Sequence, residues 1–133
     1  MQINLDRALA MMAAARKEAE AIGVPMVIAV VDDGGNLIAQ QRMDDALLAS
    51  VDIALNKAYT AVAVKTATHD LCALAQPGQP LYGIHTTDCS RIIIFGGGFP
   101  IIHDGRIIGG IGVSGGSVED DMRCARAGLA AFA

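Results

Sequence analysis

Three runs of this sequence give a strand no wet face: MVIAVV at 26–31, RIIIF at 91–95 and RIIGGIGV at 106–113. Antiparallel strands with one solvated face alternate apolar and polar residues, and these do not. A sheet built from them must be covered on both sides. Either the helices of the chain divide between the two faces, or a second copy packs on one of them. The scarcity of charged strand residues favours the second copy, so a homo-oligomer is expected.

Turn chemistry arranges the runs. DDGGN separates MVIAVV from LIAQQR, which predicts a β-hairpin of 26–31 and 37–42. RIIIF, FPIIH and RIIGGIGVS supply three further strands, the last two joined by Asp104-Gly105, a pair that suits a two-residue primed turn. Helical spacing recurs at 5–22, with Asn4 able to cap it and Gly23 able to end it. It recurs again from Ser50, where Ala54, Ala58 and Ala61 form a small-residue stripe. A shorter helix is predicted from Thr68, and a last one after Ser117, whose spacing to Asp120 resembles a capping signature. Residues 76–89 form a long Gly- and Pro-rich connection, the candidate lid. No linker or repeat divides the 133 residues, and they are expected to form a single domain.

Gly110, Gly112 and Gly115 spell GxGxxG. A dinucleotide fingerprint opens a βαβ unit and places an acid about 20 residues on. Here the helix after Gly115 has no strand following it, and Glu119, Asp120 and Asp121 in its first turn would repel a pyrophosphate. No GK[ST] exists for a P-loop. The glycines instead mark a strand that something approaches closely: the small stripe of the second helix, a neighbouring subunit or a flat ligand.

A net charge of −4 and an aromatic content of 4% argue against a nucleic-acid partner, which needs a basic stripe or stacking platforms. No apolar run reaches the length of a membrane span. The 3 cysteines include no CxxC, and no signal segment opens the sequence, so reduced thiols in the cytoplasm are expected.

Several polar residues are candidates for function. Lys57 has Ile53, Ala54, Thr60 and Ala61 as helical neighbours, so its stem lies along a packed face and its ammonium reaches a carboxylate or an anionic ligand. Arg42, at the end of the second strand, can meet the same site; both can equally form ion pairs with Asp32 or Asp44. Ser114 lies beside helix N-terminal amides suited to a carboxylate or propionate, and its GVSG context is not a hydrolase elbow. His69 and Cys72, three apart on a helix, and His85 in the long loop are possible haem or metal ligands, although two ligands make no zinc site. No metal site is assigned. His103, before the Asp104-Gly105 turn, is expected at an exposed hairpin tip.

The order of these features is a helix, then VVDDGGNLIAQQRMDDA, then SVDIALNKAYTA, then FGGGFPIIHDGRIIGGIGVSGGSVEDDMRCA. It resembles the haem-degrading, GlcG/HbpS-like family, which also supplies the C-terminal domain of PduO-type cobalamin adenosyltransferases. The resemblance covers essentially the whole chain. It implies an α+β fold, a profilin-like five-stranded antiparallel sheet flanked by helices, assembled as a homo-oligomer. It implies haem as a cofactor, held in some members by a histidine on the first helix. Here no histidine precedes His69, and that helix offers Arg16, Lys17 and Glu18. Asp45 and Leu47 stand where the family usually has a small residue and a proline. The expectation is a ligand-binding protein for haem, a corrinoid or a small metabolite. The alternatives are a small-molecule enzyme using Lys57, Arg42 and a histidine, or a non-catalytic assembly module.

Overall fold

A computed structural model describes residues 2–132. Helix α1 spans Leu5–Ile22, its first turn closed by Asn4 Oδ1 accepting from the Arg7 amide at 2.8 Å and its end formed by left-handed Gly23. Strands β1 (Val27–Asp32) and β2 (Leu37–Arg42) follow as a hairpin. Asp32 Oδ1 accepts from the amides of Gly34 and Asn36 at 2.9 Å each, which holds the turn. Helices α2 (Ala49–Ala63) and α3 (Thr68–Leu74) come next. Strands β3 (Gly98–His103) and β4 (Arg106–Ser114) form a second hairpin, and α4 (Val118–Phe132) closes the order. At the β3–β4 turn Asp104 has φ 50° and Gly105 φ 74°, the double positive φ of a primed hairpin.

The sheet has four strands in the order β2-β1-β4-β3, every neighbour antiparallel. The fifth strand expected at RIIIF is not formed. Its backbone is bonded by a helix instead of a ladder: the Ile93 amide donates to Thr60 Oγ1 at 3.0 Å, and that hydroxyl donates to the Arg91 carbonyl at 3.2 Å. The apolar character of the run serves packing over α2, where Ile92 is buried.

Side-chain alternation splits the sheet's two faces between the chain's own helices. Val27 and Ala29 point to Ala54 of α2. Ile28, Val30, Ile111 and Val113 point the other way, into a core with Met11, Met12 and Ala15 of α1 and Cys124 and Ala125 of α4. Each such aliphatic side chain contributes about 1.5–3 kcal/mol by leaving water. The result is a three-layer molecule with α2 on one side and the paired α1 and α4 on the other. The apolar strand faces therefore do not call for a second subunit: the terminal helices meet that need within one chain.

The glycines of β4 explain how close the layers lie. A Cβ on Gly112 would stand 2.1 Å from the Ala54 carbonyl oxygen, and one on Gly110 would stand 2.5 Å from that of Ala58. Of the three bodies expected to approach these glycines, the one found is the alanine stripe of α2. Gly110 and Gly112 face that helix backbone.

Candidate functional site

Lys57 is fully buried beneath the 96–98 glycine run. Its Nζ donates to Asp121 Oδ2 and to the Val113 carbonyl, both at 2.9 Å, and lies 5.1 Å from the centroid of the Phe95 ring. Burial draws the ammonium below its usual pKa against the opposing pull of Asp121, and burial likewise raises the Asp121 carboxyl. The second Asp121 oxygen accepts from the Gly116 amide at 2.9 Å. The partner of Lys57 is thus Asp121, on α4, and not Asp32 or Asp44. Asp121 also takes the helix-entry amides expected to serve a ligand beside Ser114. Ser114 itself is buried and donates to Ser50 Oγ at 3.0 Å.

Arg42 lies apart from this centre. Its guanidinium donates to the Ala46 carbonyl through Nε at 3.2 Å and Nη2 at 2.9 Å, and it edges a groove of about 630 Å³ between the C-terminal half of α1 and the end of β2. Arg16, Glu20, Gln41 and Met43 line the same groove. Gln41 Oε1 is buried there without a hydrogen-bond partner among the described residues. Met43 Sδ accepts from the Met26 amide at 3.3 Å. Two guanidinium groups beside an apolar floor can hold an anionic ligand.

The remaining histidines stand separately. His69 packs 5.3 Å from the Phe99 ring, with Nε2 3.4 Å from Asp70 Oδ1, while Cys72 Sγ accepts from Gln76 Nε2 at 3.4 Å. His85 sits edge-on to Tyr82 in the long loop. Among the described residues no group of three or more His, Cys, Asp or Glu side chains is placed to hold a metal ion. The loop is tethered where Asp88 and Arg91 meet Tyr59: the phenol donates to Asp88 Oδ2, and Arg91 Nη2 reaches Asp88 Oδ1 at 2.6 Å and the phenol oxygen at 2.9 Å.

His103 was expected at an exposed tip and is instead half-buried, its side chain 34% exposed. It stands edge-on to Phe132, ring centroids 6.1 Å apart, and Arg7 lies 5.2 Å from the same ring. These residues border a second groove of about 600 Å³ between β3 and the C-terminal turn of α4, walled by Pro100, Ile101, Ile102 and Leu129. Phe132 is what the hairpin signal could not reveal, because it arrives from the far end of the chain.

Residues 3–130 match the family described as haem degrading protein, HbpS-like. A 15.0 kDa protein of the dhaT-dhaS intergenic region of Citrobacter freundii is 49% identical over 130 residues, covering 98% of this chain and 92% of that one. The corrinoid adenosyltransferase PduO of the same organism is 47% identical over 119 residues, which is 90% of this chain but 36% of PduO. A crystal structure of a PduOC:haem complex superposes with a TM-score of 0.96 at 43% identity, covering 98% of this chain and 95% of that one. Among the described residues no helix is long and apolar enough to cross a membrane. With the family match spanning residues 3–130 and relatives alike in sequence and fold, the chain belongs to the HbpS-like family of haem degrading proteins.

Proposed function

We propose that residues 1–133 act as one domain that binds an anionic small molecule in a surface groove, with haem the foremost ligand and a corrinoid or small metabolite as the other members of the class. The observation that carries this reading is the near-superposable fold of the PduOC:haem complex at 43% identity. The grooves support it chemically, since the first sets two guanidinium groups and the second sets one against apolar walls. The two grooves differ in the donors they offer haem. The Arg16 and Arg42 groove offers iron only the Met43 thioether, which already accepts a backbone amide. The second groove offers an imidazole, apolar walls and Arg7 for a carboxylate, and it fits. Haem bound there supplies a redox-active iron; the chain's own residues bind its edges, orient it and exclude water from one face.

Assembly as a homo-oligomer is part of the proposal, supported by exposed Leu47, Leu48 and Val51 at the start of α2, apolar groups that the chain's own layers leave uncovered. Residence in the reducing cytoplasm is supported by free thiols at Cys72, Cys89 and Cys124. Titrating the purified chain with haemin tests the function: a saturable Soret shift at micromolar haemin is expected, and no spectral change would remove haem from the list.

A further inference from the structure

We infer that His103 is the iron ligand of this chain, supplied from the β3–β4 turn and not from the first helix; the inference rests on the haem reading above. The first helix has no histidine, so a ligand must come from elsewhere. His103 lines an apolar groove large enough for a cofactor, whereas His69 and His85 border neither groove described above. Cofactor and drug-sized pockets span roughly 300–1,000 Å³, and this groove holds about 600 Å³.

Three features prepare the ring for the role. Asp104 Oδ2 lies 3.3 Å from His103 Nε2, which sets a carboxylate beside the ring. Phe132 stands at 85° to the imidazole and fixes its plane from the side. Arg7 packs on the same phenyl ring, which puts a cation at the groove's edge where a propionate can pair with it. Ile102, 56% exposed on an outer strand, is the apolar surface that a flat macrocycle would cover.

The test is resonance Raman spectroscopy of the ferrous haem complex, with haemin affinity measured alongside. The wild type is expected to show an iron–histidine stretch that His103→Ala loses and that added imidazole restores. Arg7→Gln is expected to weaken haemin binding about tenfold, the worth of one charge-assisted hydrogen bond, and Lys65→Gln, at an exposed position that borders neither groove, to leave it unchanged. If His103→Ala keeps the iron–histidine stretch, or Arg7→Gln weakens binding no more than Lys65→Gln does, the ligand assignment is overturned while haem binding stands. Absence of any Soret shift in the wild type would overturn haem binding itself. Circular dichroism of each variant separates loss of ligand from loss of fold.

Discussion

Lys57 holds its charge where water does not reach, and its two oxygen partners lie on β4 and α4. Removing one member of a buried pair leaves the other charge unmatched and costs about 3–5 kcal/mol, whereas replacing both with apolar groups is often neutral. Lys57→Met and Asp121→Leu should each destabilise the fold strongly, and the double substitution should lose less than the sum. Urea unfolding of the full cycle checks this; additive losses would deny the coupling. The Lys57 stem on a packed face and its reach for a carboxylate were readable from helical spacing. Asp121 was not, because sequence gives no clue to a partner 64 residues away. His103 was misjudged for a related reason: its local signal is a turn, and the ring that covers it belongs to the last turn of α4.

At the scale of elements, glycine on β4 and alanine on α2 form one device. The helix backbone lies on the strand, and neither side can yield a methyl group's width. Gly112→Ala would drive a Cβ to 2.1 Å from a carbonyl oxygen, so stability should fall by about 1–3 kcal/mol or more, read from the urea midpoint. The glycines and the stripe were both legible in the sequence; their pairing was one of three possibilities. RIIIF misled because an apolar run can be a buried strand or a segment packed over a helix, and periodicity does not separate the two.

The loop tether is a second device at this scale. Its hydrogen bond to Asp88 holds the Tyr59 phenol above its ordinary pKa of 10.0, and the same bond holds Asp88 below 3.8. A raised phenol pKa contributes stability that is whole below the unfolded value and is lost as pH climbs through the folded one. A depressed carboxyl contributes above its unfolded value and is lost on acidification. The tether should therefore hold between these limits. The tyrosinate absorbance difference between wild type and Tyr59→Phe should titrate above 10.0, and Tyr59→Phe should speed proteolysis within residues 76–91 at neutral pH. A midpoint at or below the ordinary value would contradict it.

For the whole molecule, covering both sheet faces with one chain's helices changes what an oligomer would have to use. The sheet faces are closed, so assembly falls to surfaces such as Leu47, Leu48 and Val51. Native mass spectrometry should show a multimer for the wild type and a lower-order species for Leu48→Asp with the fold retained. A wild-type monomer across the concentration range would end the assembly proposal.

The entry to α4 has one further consequence. A strand, a glycine turn and a helix start are the parts from which proteins build seats for phosphate. Here the amide of Gly116 already points at Asp121. The fold carries its own counter-anion, inserted from within, where such a seat would hold a phosphate.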